Sequence, residues 1–311
     1  MSETTLFVKD NDKQAVPVKE ESFISEQNLE DYICNNPEIL GDIYIIKRQV
    51  RLNSGADIPD IIGVDNDGNI VLIEIKNKTI DEQIISQVLR YAIWADTNPD
   101  SIKSLWLECQ DRPDELEIDW ANNEVRILII GPQIKSNVST YAGKIEYDVE
   151  LLEVKLLRQP DREYVLVNRI EPEKSSITSK KPTSGRMDYD EAFYKSERNH
   201  KSVDFFYKVV KDCEEVIKNK NWGLETRFNK YYCGFKYGNP LVFSVRWLGS
   251  KSLALAFKLS KEDAEKLQGQ ETMHNYDGGW KEANYKLDPD TFKVDNYIPL
   301  MEGSYKKITG K

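Results

Sequence analysis

Apolar positions recur along this 311-residue chain with two periods that trade places, and their alternation sets the expected fold. SEQNLEDYICNNPEIL (25–40) reads as a helix capped by Ser25. Leu29, Ile33 and Leu40 share its apolar side, Glu26 and Glu30 share another, and Asn36-Pro37 ends or interrupts its first half. Two β-branched runs follow, Ile61 to Val64 and Ile70 to Ile75, separated by Asn66-Asp67-Gly68, which marks a tight hairpin. TIDEQIISQVLRYAIWAD then returns to helical spacing, with Thr79 or Asp81 as cap. Ile80, Ile84, Val88 and Ala95 form one stripe and Gln87, Tyr91 and Trp94 a second. IKSLWLE and EVRILIIGP predict two more strands, the second apolar enough for the centre of a sheet. DVELLEVKLL fits helix or strand and EYVLVNRI a strand, while TLFVKDNDKQAVPV predicts a short N-terminal strand or arm.

Residues 171–187, EPEKSSITSKKPTSGRM, lack apolar periodicity and are rich in Ser, Thr, Pro and Lys, so they read as a linker. Beyond it, Phe205, Val209, Cys213 and Val216 or Ile217 mark an amphipathic helix. KYYCGFKYGNPLVFSVRWLGSKSLALAFKLS then alternates like an antiparallel meander with turns at Gly238-Asn239-Pro240 and Gly249-Ser250. KEDAEKL predicts a short helix, the remainder loops and one more strand, and SYKKITGK a polar end. The expected organisation is an N-terminal arm (1–20), an α/β domain with strands and helices alternating (21–170), the linker, and an α+β domain with an antiparallel sheet (188–311).

Charge divides unevenly between these parts. Residues 1–170 hold 18 Lys plus Arg against 32 Asp plus Glu, net −14, whereas residues 186–311 hold 22 against 19, net +3. The acidic half will not be drawn to nucleic acid by bulk attraction, so phosphate contacts are expected from the linker and second domain. The four cysteines, Cys34, Cys109, Cys213 and Cys233, form no C-x-x-C pair, and only His200 and His274 exist. Zinc ribbons, disulfide frameworks and histidine-based hydrolase sites are therefore disfavoured. No Gly-rich phosphate loop, signal peptide or long apolar span is present, which predicts a cytoplasmic protein without membrane contact.

The hairpin carries the chemistry. With Asn66-Asp67-Gly68 as the loop and Gly68 left-handed, Asp65 pairs with Asn69 and Asp60 falls opposite Glu74. Side chains repeat every second residue, so Asp60, Glu74 and Lys76 converge on one patch while Ile61, Val71, Ile73 and Ile75 face a core. Paired carboxylates favour a cation, and oxygen ligands select a hard ion, Mg2+ or Mn2+. Lys76 suits orienting or helping to deprotonate a metal-bound water, or stabilising charge on phosphorus.

The order of acidic helix, strand, PD, hairpin, E-x-K and a Q-x-x-x-Y helix resembles the PD-(D/E)XK nuclease superfamily. More narrowly, residues 20–135 resemble the nuclease domain of NucS-type (EndoMS-type) endonucleases through Glu26, Gly55, Asp60, Glu74, Lys76, Gln87 and Tyr91. The Gly55-to-Asp60 spacing is longer than the family's. The resemblance implies a restriction-endonuclease-like fold, metal binding by Asp60, Glu74 and the Ile75 carbonyl, and Lys76 as the catalytic lysine. It also implies Gln87 near the scissile phosphate or the lysine, and Glu26 completing the acidic cluster directly or through water. Nucleic-acid contacts are expected from Lys78, from Arg48 and Arg51 on either side of Val50, and from Tyr91. Each has a plainer alternative as a surface charge or, for Tyr91 and Trp94, a packing residue.

The second half is similar to an uncharacterised α+β module appended to nucleases. Its Tyr231, Phe235, Tyr237, Phe243 and Trp247, interleaved with Lys230, Lys236 and Arg246, fit a base-stacking platform or, more simply, an aromatic core. The expected function is a metal-dependent DNA endonuclease of repair, restriction or phage defence. The alternatives are a non-catalytic binding module on a nuclease fold, or a nuclease acting on RNA. DNA is the expected partner, and a homodimer or protein partner is left open.

Overall fold

A computed structural model describes residues 6–9, 15–49, 59–110, 112–113, 116, 118–159, 161–170, 172, 189–248 and 251–311. Val50, Arg51, Gly55 and all of the expected linker except residue 172 lie outside the described residues. The first half builds one mixed sheet from β1 (Leu6–Val8), β2 (Val16–Glu21), β3 (Ile43–Arg48), β4 (Ile61–Asp65), β5 (Ile70–Ile75), β6 (Val125–Gly131), β7 (Asp148–Gln159) and β8 (Arg162–Ile170). Its order is β1-β2-β7-β6-β5-β4-β3, with β8 paired to β7. Only β5–β6 and β6–β7 run parallel. These central strands are almost wholly apolar, as strands covered on both faces must be.

Helix α1 (Glu26–Asn35) covers one face, and α2 (Gln83–Thr97), α3 (Pro99–Glu108) and α4 (Ser136–Ala142) cover the other. Ser25 caps α1 by accepting from the Asn28 amide at 3.1 Å, and Pro37–Ile39 forms a separate 3-10 turn. One expectation is corrected here. IKSLWLE is helical, the body of α3, because Pro99 starts a helix after Asn98 and the i, i+4 pair Ile102 and Trp106 buries against the α2 side of the sheet. The N-terminal segment, expected as a short strand or arm, forms β1 and β2, and β2 pairs antiparallel with β7 and extends the sheet.

The second half contains α5 (Glu191–Glu197), α6 (His200–Asn219), β9 (Glu225–Asn229), β10 (Tyr232–Lys236), β11 (Leu241–Leu248), β12 (Ser252–Phe257), α7 (Lys261–Leu267), β13 (Asn275–Asp277), β14 (Glu282–Leu287) and α8 (Ile298–Thr309). Its antiparallel sheet is ordered β13-β14-β12-β11-β10-β9. Tyr194, Phe206, Phe235, Phe243, Phe257 and Trp247 fill the core between this sheet and its helices, so Phe235, Phe243 and Trp247 of the aromatic stripe pack inward, while Tyr231 is half-buried and Tyr237 exposed. Phe206, not Phe205, takes the central position of α6. The polar-looking end is also helical: Pro299 lies in the first turn of α8 and Gly310, left-handed at φ 70°, closes it. Among the described residues, no helix is long and apolar enough to cross a membrane.

The two halves meet along a polar seam. Lys236 Nζ pairs with Asp42 at 2.5 Å, Asn66 donates to the Tyr232 hydroxyl at 3.1 Å, and the Tyr189 hydroxyl donates to Asp67 at 3.2 Å. Tyr44 and Trp280 add an edge-on ring contact at 5.8 Å. The tip of the β4–β5 hairpin is thus gripped by the second domain.

Gly63 in β4 has no room for a side chain, since a Cβ there would lie 2.8 Å from the Tyr44 carbonyl oxygen of β3. Gly63→Ala should destabilise the protein by about 1–3 kcal/mol, read as a lower midpoint in urea unfolding with an unchanged slope.

Candidate active site

Turn chemistry fixes where the charged residues fall. The Asp65 amide donates to the Asn69 carbonyl at 3.0 Å, the Gly68 amide donates to the Asp65 carbonyl at 3.0 Å, and Gly68 adopts φ 82°. The ladder runs from Val64↔Ile70 to Ile61↔Ile73, and one more step sets Asp60 opposite Glu74. Ile61, Val71, Ile73 and Ile75 pack with Leu29 and Ile33 on the α1 side, while Ile62, Val64, Ile70 and Leu72 pack on the α2 side. Glu74 has the parity of Ile70 and Leu72 and points toward α2.

Glu74 is only 1% exposed and sits at the end of the hairpin away from the turn. Its Oε1 accepts from Gln87 Nε2 at 2.7 Å and lies 2.5 Å from Lys76 Nζ, whereas Oε2 is buried with no hydrogen-bond partner. Burial, and then the neighbouring charge of Asp60, push its pKa up to about 7. Burial also raises Asp60, against the counteracting Ile75 amide, which donates to Asp60 Oδ2 at 2.7 Å. For Lys76, burial alone would lower the pKa. The Glu74 hydrogen bond and the charges of Glu74, Asp60 and Glu26 outweigh it and hold the ammonium above the ordinary lysine value. Lys76 is a cation here, fit to donate rather than to accept a proton.

Gln87 and Tyr91 stand one helical turn apart on α2, and the Gln87 amide donates both to Glu74 and to the Tyr91 hydroxyl, the latter at 2.5 Å. Gln87 therefore orients Glu74. Tyr91 is 2% exposed, so the expected contact with nucleic acid is corrected: its ring packs and its hydroxyl anchors Gln87. Arg48 is corrected too, because it is held by Glu30 at 2.8 Å and by Asp31 and braces β3 to α1. Arg51 lies outside the described residues, and Lys78 is exposed. Glu26 is exposed, with Oε1 3.4 Å from Lys76 Nζ and Oε2 3.4 Å from the Asn77 amide. It joins the cluster through Lys76.

Two positioning residues escaped the sequence reading. Gln49, left-handed at φ 46°, donates its amide to the Asp60 carbonyl at 2.7 Å and so ties the end of β3 to the approach of β4. Asn77 donates from Nδ2 to the Phe23 carbonyl at 2.7 Å, fixing the chain just after Lys76. Gln49 left no trace in the sequence. Asn77 left a faint one, a short polar residue directly following E-x-K.

A divalent cation fits these donors. The Lys76 ammonium touches both Glu74 Oε1 and, at 3.1 Å, the Ile75 carbonyl, so a positive group already occupies their common neighbourhood. The orphaned Glu74 Oε2 offers a further lone pair. Among the described residues no three His, Cys, Asp or Glu side chains gather into a ready-made metal cage. A cation here would rest on Asp60, Glu74 and the Ile75 carbonyl and fill its remaining positions with water or substrate oxygens, the habit of Mg2+.

Residues 25–106 match the family model described as the endonuclease NucS C-terminal domain. Endonuclease NucS of Sulfolobus acidocaldarius is 36% identical over 70 residues, 22% of this chain and 27% of that protein. The Pyrococcus abyssi protein of the same name is 37% identical over 68 residues, 22% and 26% of the two chains. That of Pyrococcus furiosus is 25% identical over 130 residues, 42% and 40%. The matches thus span 26% to 40% of these relatives' lengths. Among solved structures, a repair endonuclease from Pyrococcus abyssi aligns with 43% of this chain and 50% of its own at 26% identity and TM-score 0.29. An EndoMS–dsDNA complex aligns with 47% and 49% at 21% identity and TM-score 0.30.

Because folding raises the Glu74 pKa, the metal-free fold binds more protons than the unfolded chain, and this group's contribution is lost as pH rises through about 7. Glu74→Gln should therefore stabilise the metal-free protein above neutral pH by about 1–3 kcal/mol. If Mn2+ rests on this carboxylate, the wild type should gain a thermal shift in Mn2+ and the variant should lose it. Asp67, raised to about 6, titrates in the same direction, so the difference between variant and wild type across pH isolates Glu74.

Proposed function

We propose that this chain, whose N-terminal half carries a NucS-type nuclease domain, is a divalent-cation-dependent endonuclease that hydrolyses DNA phosphodiesters at Asp60, Glu74 and Lys76. The observation that carries the reading is the buried, half-satisfied Glu74 facing Asp60 across the hairpin with a protonated lysine beside it. The mixed sheet with α1 and α2 on opposite faces supports a restriction-endonuclease-like, PD-(D/E)XK assignment, and the endonuclease relatives support the reaction class.

Bound Mg2+ or Mn2+ would supply Lewis acidity, polarising the phosphodiester and lowering the pKa of an attacking water. The protein's own groups set the geometry. Gln87 locks the Glu74 carboxylate from α2, the Ile75 amide locks Asp60 from the facing strand, and Gln49 holds the Asp60 carbonyl. Lys76 delivers positive charge to the non-bridging oxygens as negative charge grows on phosphorus, where a partly buried donor is worth more than in water. Glu26 keeps Lys76 poised from α1. The exposed Lys78 lies next to this end of the strand and suits a backbone phosphate of the substrate.

The test is cleavage of labelled single-stranded, duplex, mismatched and forked DNA, with RNA as comparison, in Mn2+ or EDTA. Metal-dependent cutting of DNA is expected, and Lys76→Ala should lower its rate by about 10²–10³-fold. Gln87→Ala should lower it less, since Gln87 acts through Glu74. Failure of the wild type to cut any substrate in Mn2+ would overturn the proposal, and cutting of RNA alone would transfer it to an RNA nuclease.

A further inference from the structure

A cavity of about 180 Å³ opens in the seam between the two domains. Lys258 follows β12, Lys281 lies in the turn before β14, and Lys307 is on α8, yet all three line it. Glu38 from the first domain faces them, so the charged side chains of the lining are three ammonium groups against one carboxylate, net +2. Tyr44 and Trp280 supply an aromatic wall where the domains touch.

The three lysines are not equivalent. Lys258 is committed, paired with Glu282 at 3.0 Å and donating to the Trp280 carbonyl at 2.8 Å. The side chains of Lys281 and Lys307 make no hydrogen bond or ion pair among the described residues. Although Lys307 is exposed, partial loss of water at the cleft pushes its pKa down, and Lys258 and Lys281 push it further, against the pull of Glu38 and Asp263. Lys281 is moreover held left-handed at φ 53°, a conformation that side-chain-bearing residues adopt rarely and that gathers at ligand clamps. Lys258 and Lys281 each disfavour the charge on Lys307, an effect that a bound anion would offset.

We propose that this cleft is a phosphate site, in which Lys281 and Lys307 grip the phosphate group, Lys258 reinforces them from the wall, and occupancy ties the two domains together. The site is separate from the hairpin centre. The cavity adjoins the Ile43 end of β3, which pairs with Asp65, whereas Asp60 lies five residues further along β4, about 16 Å at strand spacing. A phosphate or pyrophosphate group fits the cavity volume and a duplex does not. The ligand is therefore either a small phosphorylated molecule or the terminal phosphate of a nucleic-acid strand, and one experiment separates the two.

Thermal shift and calorimetry in EDTA, which removes any metal-site contribution, would use pyrophosphate, a nucleoside monophosphate, and a short DNA duplex with or without 5′-phosphates. Saturable stabilisation by pyrophosphate or the nucleotide is expected for a free ligand, and stabilisation confined to the 5′-phosphorylated duplex for a strand end. In either case the Lys281→Ala/Lys307→Ala double variant should bind at least tenfold more weakly. Both side chains are exposed, so the variant should fold, which circular dichroism checks. Lys76→Ala should bind like the wild type, which keeps the result independent of the nuclease proposal. No stabilisation by any of these ligands, or undiminished binding by the double variant, would overturn the site.

Discussion

The arrangement of the first domain turns on one carboxylic acid kept out of water. Glu74 ends a strand whose other residues are all apolar and fully covered, and α2 presents Gln87 to one of its oxygens while the other is left bare. A buried carboxylate with one oxygen bare is among the costlier things a fold can hold, and it survives here by holding its proton near neutrality and leaning on Lys76. The surrounding pieces make sense as supports for that arrangement. α1 brings Glu26 to the lysine, β3 brings Gln49 to the Asp60 carbonyl, and Asn77 pins the chain just past the site. A sheet built only for stability would place another isoleucine at position 74.

Much of this was legible because the hairpin is over-determined. Two β-branched runs, a loop whose glycine must be left-handed, and a period of two leave one register in which Asp60 and Glu74 meet. Ser25 announced α1 in the same way, through a side chain whose preferred partner is an exposed helical amide. Local chemistry that names its own partner reads well. IKSLWLE reads badly because it alternates like a strand while also placing Ile102 and Trp106 one helical turn apart, and burial of that pair decided the matter. Arg48 looked free for phosphate because nothing in the sequence says that Glu30 and Asp31 will stand beside it. Gln49 acts through its backbone amide, which carries no residue-specific signature, and Asn77 through a side chain whose partner, the Phe23 carbonyl, lies far off in the chain.

Charge is partitioned between the domains in a way that gives each surplus a place. The acidic half concentrates carboxylates where a cation fits, and the slightly basic half brings lysines from three separate segments into the seam. The two centres have opposite sign and sit toward opposite ends of the same strands. Near the hairpin tip Asp65, Asp148 and Glu150 all meet the Arg126 guanidinium, and Arg169 pairs with Glu150 as well, so these acids are tied into one ion-pair network.

The grip of the second domain on the hairpin tip has a consequence for descent. Asn66 and Asp67 hold Tyr232 and Tyr189, while the other end of the same two strands presents Asp60 and Glu74. A single codon gained or lost between positions 60 and 74 would turn one strand over, exchanging buried isoleucine for acid at one end and detaching the tip at the other. Within the paired strands a substitution keeps both ends in register, whereas a one-residue insertion or deletion does not. The hairpin is a ruler whose length the chain inherits whole.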